Sequence, residues 1–381
     1  MTGSRTTLCS AAPSTGRLLS QCRVCEPAPL VAPGALRDKM TASLRPLLRD
    51  VTVQALAATG MTVPGRTARS QLTVVTFHRV LPEALRRRYP LPGLVVTPEE
   101  LDFLLEVFSR HYRCQRLDEG FREWRAGQHD ERPRLCVTFD DGQLDNYEHA
   151  RPLLDKHGVK ATFFLPVDHV QTGQALWHDR MGFAVLHGLS QGRVGRAAVL
   201  ACAGIGDRAD EGAEALLRRV LAHVKALPDS QRVSLLEKIE AAVDAPPIAA
   251  EFGMMSWEQA RELAATGHEI GSHALTHPIL PRCTDDKIRF EVSESTDILA
   301  EQLNGRARSF CYPNGDCDAR VIAAVRDSGY QCAVTTAHGI NGRDAPEFEL
   351  RRSDMHPDRL RDRSGRLSES RVLWRLSRLS G

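Results

Sequence analysis

Strand-like and helix-like segments alternate along most of this 381-residue chain, and that alternation restricts the fold more than any other feature. "LTVVTFHRV", Leu72 to Val80, has the β-branched and aromatic content of a strand. "TPEELDFLLEVFSRHY" follows, with Thr97 as helix cap, an early acidic pair and helical apolar spacing. "LCVTFDDG" is a second strand, "NYEHARPLLDKHG" a helix closed by Gly158, and "KATFFLPV" a third strand. Further on, Ser256 caps a helix that Gly267 ends, and "HEIGSH" is the next strand. The helix "DDKIRFEVSESTDILAEQLNG", the strand and turn "ARSFCYPNG", the helix "DARVIAAVRDSGY" and the strands "QCAVTT" and "FELRRSDM" complete the series. Strands and helices in this order imply parallel strands joined by right-handed crossovers. Seven or so βα steps are enough to close an α/β barrel, whose functional groups gather at the C-terminal ends of its strands.

The alternation fails in three places. Residues 1–39 are rich in Ser, Thr, Ala and Pro and read as a disordered leader, followed by a helical extension over 40–70. Met40 opens the better-patterned stretch, which points to a start downstream of Met1. From about 183 to 250, "EGAEALLRRVLAHVKALPDSQRVSLLEKIEAAV" dominates and reads as an α-helical insertion into a domain spanning 71–360. Residues 361–381 form a helical tail. No apolar run is long enough for a transmembrane helix or, at the N-terminus, a secretory signal, so a cytoplasmic location is expected. The ten cysteines then read mostly as small buried residues, and the Cys22–Cys25 pair lacks the partners of a zinc ribbon. A net charge of +2 weighs against a nucleic-acid partner. Nothing in the pattern sets an oligomeric state.

Asp140 and Asp141 end one strand, and adjacent carboxylates raise each other's pKa unless a positive charge sits beside them. His273 and His277 follow another strand and would face the same rim. One carboxylate and two imidazoles make a divalent-metal set with positions open to water and substrate. The second carboxylate stays ionised in that field and can take a proton from bound water. Pro278 and Gly271 place the histidines at a strand-to-loop junction, and the H-E-x-x-H pattern of helical metalloproteases is absent. His78, in "TFHRV", is a further rim candidate.

"TFDDG", "GSHALTHP" and "SFCYPNGD" together resemble the polysaccharide deacetylase family, carbohydrate esterase family four, with its NodB-homology domain. The resemblance runs from about Leu72 to Met355. It implies a distorted (β/α)7 barrel that removes acetyl groups from N-acetylated saccharides, with a role in surface polysaccharide biosynthesis. It implies Asp140 as base, Asp141, His273 and His277 as ligands of zinc, or of cobalt or another divalent ion, and the Tyr312 N–H as an oxyanion donor. Pro313 belongs to the motif that walls the groove. His356 is the implied general acid, and Arg352 resembles an arginine that pairs with the catalytic aspartate. Cys311 stands where the family often carries an arginine, which bears on how Asp140 is tuned. Trp177, His178 and Asp179 offer a sugar subsite, since aromatic faces suit sugar rings. Two other readings remain open: an amidase on a non-sugar C–N bond, and an inactive carbohydrate-binding relative.

Overall fold

The computed structural model describes residues 66–377 except 129 and 209, together with Thr59. The leader over 1–39 and the extension up to 65, Thr59 apart, lie outside the described residues.

Ten strands are formed: β1 (Leu72–Phe77), β2 (Arg79–Val80), β3 (Val95–Val96), β4 (Arg113–Gln115), β5 (Arg134–Phe139), β6 (Thr162–Leu165), β7 (Glu269–Ser272), β8 (Ser309–Cys311), β9 (Cys332–Val334) and β10 (Ser353–Asp354). All pairings in the main sheet are parallel, in the order β10-β1-β5-β6-β7-β8-β9. β4 pairs with the first half of β5, and β6 with its end, so two strands share one side of β5. Leu350 bridges Val334 of β9, and Ser353 pairs with Val75 of β1. The segment 350–354 therefore spans the gap between β9 and β1 and curls the sheet into a distorted barrel. The expected long last strand is split by this role. Its middle serves two neighbours in turn, so only two residues keep regular pairing.

Strand side chains alternate in direction, and the core divides accordingly. Leu72, Val74, Cys136, Phe164, Cys311, Cys332 and Val334 fill the barrel interior with Leu117, Phe121 and Trp124. Val75, Phe77, Leu135, Val137, Phe139, Phe163 and Ile270 face the outer helices. There the rings of Phe77, Phe139 and Phe163 stack at centroid distances of 5.4 and 5.1 Å. Removing the middle ring would cost about 3–5 kcal/mol.

α2 (Leu117–Arg125) packs on the barrel interior, and the outer helices are α1 (Pro98–His111), α3 (Arg151–Lys156) and α4 (Val167–Thr172), with α9 (Trp257–Ala265), α10 (Asp285–Leu303), α11 (Ala319–Asp327) and α12 (Glu369–Arg375) later in the chain. Thr97 and Ser256 close capping boxes, each with the residue three further on, and so satisfy N–H groups that helix starts leave unpaired. Between α4 and α9 stand α5 (Trp177–Ser190), α6 (Arg193–Ala203), α7 (Ala213–Ala226) and α8 (Asp229–Val243). They enclose a core of their own built on Met181, Val185, Val199, Leu216, Val220, Leu236 and Ile239. This helical block opens at Trp177 rather than at 183, because Trp177, Met181, Ala184 and Val185 already fall at helical spacing.

Candidate active site

The site is built at the C-terminal ends of β1, β5, β7, β8 and β9. Asp140 continues β5, its N–H donating to the Phe77 carbonyl at 2.9 Å. The chain then turns through Asp141 and Gly142, at φ 74° and 62°. A Cβ on Gly142 would lie 2.9 Å from Leu165 Cδ2, so the turn needs glycine for space as well as for its φ. After β7, the His273 N–H donates to the Leu165 carbonyl at 2.9 Å. Ala274 and His277 take positive φ and fold the next four residues back over the rim. The buried Glu291 carboxylate of α10 holds that loop by accepting the Leu275 and Thr276 N–H groups at 3.0 and 2.8 Å. Six non-glycine residues have positive φ among those described, and four of them (Asp141, Ala274, His277 and Asn314) belong to this rim. Such backbone persists only where its surroundings enforce it, and it clusters at functional sites.

These turns bring three donors together. His273 Nε2 and His277 Nε2 lie 3.4 and 3.2 Å from one oxygen of Asp141, Oδ1. All three side chains are buried, and their candidate ligand atoms lie within 4.8 Å of one another. The His273 Nδ1–H donates to the Cys311 carbonyl at 2.7 Å, which turns Nε2 toward Asp141. Burial alone would raise the Asp141 carboxyl, but His273 and His277 hold it well below the usual carboxylate range. Burial pushes His277 down to about 3, so its imidazole is neutral. Burial also opposes a charge on His273, yet Cys311 and Asp141 beside it hold its pKa well above the usual histidine value. The pocket thus favours one positive charge at the point where Asp141 and the imidazoles converge. An O,N,N set with an ionised carboxylate fits a divalent cation.

Asp140 is arranged differently. Both its oxygens accept from Arg352, Nη1 to Oδ1 and Nη2 to Oδ2, each at 2.7 Å. Arg352 is itself locked, with Nε donating to the Thr335 carbonyl at 2.8 Å and Nη1 to Thr138 Oγ1 at 3.1 Å. Its Nη2 also meets Cys311 Sγ at 3.2 Å. Arg352 thus supplies from the barrel-closing segment a cation that the Cys311 position lacks. Burial would raise Asp140, but Arg352 outweighs it and holds the carboxyl at about 2.

The other sequence candidates divide. His78 Nε2 stands 3.8 Å from Asp140 Oδ2. His78, Trp177 and Tyr312 line one cavity of about 720 Å³ with Asp140, Asp141, His273 and His277. Trp177 is also a packing residue, with the Arg232 guanidinium 5.0 Å from its ring centroid. The Tyr312 N–H donates to the Val334 carbonyl at 3.3 Å and its hydroxyl to the Phe348 carbonyl at 2.9 Å, so both donors have partners in this structure. Pro313 is buried behind Asn314 and Gly315, which do line the cavity. A Cβ on Gly315 would lie 2.1 Å from Thr336 Oγ1, so only glycine lets the turn sit against β9. His356 is not brought to this cavity. It lines a neighbouring one of about 270 Å³ on the far side of His78, its Nε2 3.3 Å from the Pro92 carbonyl. The reason is a contact distant in sequence: the Pro92 carbonyl of the 90–94 loop meets the imidazole, and Pro357 follows it directly in the chain.

Sequence reasoning missed the buried support of the site. Arg79 donates to Asp145 at 2.7 Å and to Asp179 at 2.6 Å, and the Tyr89 hydroxyl also donates to Asp179. His178 Nε2 lies between Asp179 Oδ1 at 3.4 Å and Asp141 Oδ2 at 3.6 Å, so this network reaches the metal-type cluster. An arginine between His78 and Val80 in an otherwise apolar strand was the available signal. Sequence reasoning also missed Leu221, Ala222 and Lys225 of α7 and the 90–94 loop as cavity lining.

Fold and rim together define a parallel α/β barrel with a hydrolase-like carboxylate and imidazole centre at its C-terminal face. The family model described as polysaccharide deacetylase matches residues 127–196 and 205–333, more than half of the chain, and the chain belongs to that family. It is 22% identical over 223 residues to YxkH of Bacillus subtilis (strain 168). That match takes in 58% of this chain and 52% of the relative, so the chain spans about half the relative's length. Among solved structures, the Streptococcus pyogenes deacetylase PplD in complex with acetate superposes with a TM-score of 0.54 at 18% identity, over 81% of this chain and 98% of PplD. IcaB from Ammonifex degensii gives 0.51 at 20% identity, over 81% and 97%. These two likenesses bear on the fold, a curled parallel barrel of the NodB type.

Proposed function

We propose that the chain is a metal-dependent hydrolase that removes acetyl groups from an N-acetylated saccharide, a surface polysaccharide or its precursor. The observation that carries this is the convergence of Asp141, His273 and His277 beside an Asp140 that Arg352 keeps ionised. Asp141, His273 and His277 would hold a divalent ion, most simply zinc, which when bound supplies Lewis acidity and acidifies a coordinated water. Asp140 would accept a proton from the attacking water as its oxygen bonds to the acetyl carbon. The amide C–N bond then breaks, the amine nitrogen takes a proton, and acetate leaves. His78, close to Asp140 and exposed to the cavity, is placed to pass that proton on, whereas His356 is not. The Asn314–Gly315 turn and Tyr312 form the wall against which the acetyl group would sit.

The test is acetate release by zinc- or cobalt-loaded protein from N-acetylglucosamine oligomers, peptidoglycan fragments and simple amides. Acetate from a saccharide supports the proposal. Hydrolysis of simple amides alone would favour the amidase reading, and glycan binding with no acetate from any substrate would make the chain an inactive relative.

A further inference from the structure

The cavity has two unlike walls. The polar wall is the rim just described. The opposite wall comes from outside the strand ends: Leu91, Pro92 and Leu94 from one loop, and Leu221 and Ala222 from α7. Most of it is hydrocarbon; Glu214 and Arg218 of α7 also line the cavity and pair with each other at 2.8 Å. A saccharide chain laid on its hydrocarbon part would bury hydroxyls with no partners, and each one left unpaired weakens binding by about fivefold or more. A hydrocarbon chain does the reverse, gaining about threefold in affinity per buried methylene. A second cation on this wall stands apart from that pair. Lys225 stands one turn past Leu221 on α7, lines the same cavity as Asp141, and has no carboxylate within 4 Å among the described residues.

We propose that the substrate is an N-acetylated sugar joined through a phosphate linkage to a hydrocarbon chain. The sugar sits at the Asp141–His273–His277 centre, the linkage at Lys225, and the chain along Leu221, Ala222 and the 90–94 loop. This rests on the deacetylase reading and narrows its substrate to a glycolipid. The wall is continuous with the catalytic rim, so whatever covers it is part of the molecule being cleaved or lies directly against it. An unpaired ammonium beside an apolar surface complements an anion that carries a hydrocarbon tail.

The experiment uses the full chain with zinc bound and three probes, the ethyl, hexyl and decyl phosphates of N-acetylglucosamine. The neutral decyl glycoside and the N-acetylglucosamine tetramer serve as comparisons. Calorimetric affinity is measured in D140N, whose turnover should be at least about 100-fold slower, and acetate release in the unaltered protein. Affinity should rise about threefold per methylene from ethyl to hexyl, with the decyl phosphate well above the tetramer. A222E, an exposed helical position, should flatten the chain-length dependence, and K225M should erase the preference for phosphate over the neutral glycoside. Affinity indifferent to chain length, or a tetramer that binds better than the decyl phosphate, would overturn the proposal. If affinity tracks chain length but no probe releases acetate, glycolipid recognition stands and the deacetylase reading fails. If acetate comes equally fast from every saccharide, the deacetylase reading stands and the glycolipid falls.

Discussion

Asp140 and Glu269 are carboxylates buried at opposite ends of one barrel, and their surroundings drive them in opposite directions. Asp140 lies at the C-terminal rim and is held at about 2. Glu269 opens β7 at the other end and is pushed up to about 7. Burial acts upward on both. At the rim a bidentate guanidinium outweighs it. At the base Glu269 accepts the Asp118 N–H at 2.9 Å and the Thr162 hydroxyl at 2.7 Å, with Ser309 beside it but no cation, and the nearby Asp118 carboxylate adds to the rise. The two ends teach that depth does not set the charge state of a buried acid; the partner does. One end keeps a carboxylate ionised, while the other tolerates one that is half neutral near pH 7.

The strongest way to break this contrast is at the rim. Asp140→Asn should lower kcat by about 10²–10⁴-fold, the usual worth of a positioned base, with metal content unchanged. Substantial residual turnover in a steady-state assay would remove Asp140 from the role of base. His273→Ala should weaken metal binding by at least about 100-fold, read by chelator competition and elemental analysis, and unchanged metal content would remove it from the ligand set.

Arg352→Met tests the pairing itself. It leaves the Asp140 charge buried without its cation and should cost about 3 kcal/mol in denaturant unfolding at neutral pH. Asp140 is lowered in the folded state, so its contribution is complete above 3.8, the ordinary aspartate value. It is lost as pH falls from there toward about 2, and the gap between the two proteins should narrow over that window. A gap independent of pH would mean that Arg352 acts through packing alone.

The smallest effect is expected at the base. Glu269 is raised in the folded state, so stability from its neutral form is fully present below 4.5 and lost as pH rises through about 7. Glu269→Gln removes that loss and should stabilise the protein on the order of 2 kcal/mol at pH 8 and not at all at pH 4. Thermal melts at the two pH values decide it, and equal shifts at both would show that the two ends do not differ as described.

Much of this was legible in the chain. Thr97 and Ser256 announced their helices because a cap depends on residues three positions apart. The Asp140–Asp141 and His273–His277 pairs announced themselves because each follows a strand whose end is marked by its own composition. The split last strand, the early helix start at Trp177 and the placement of His356 were not legible. Each depends on a neighbour distant in sequence: β9 with β1, the core shared by α5–α8, and the 90–94 loop.

The sequence by itself determined the alternating elements, the rim motifs and hence the kind of chemistry, since these rest on residues close together in the chain. The resemblance pointed to Arg352 as the partner of Asp140, but only the tertiary structure decided that it would grip both carboxylate oxygens from 212 residues away, and that α7 and the 90–94 loop would place a largely apolar wall across the cavity. The physical reason is that charge pairing and exclusion of water are properties of what surrounds a group in space. No local pattern specifies which distant segment will come to lie beside it.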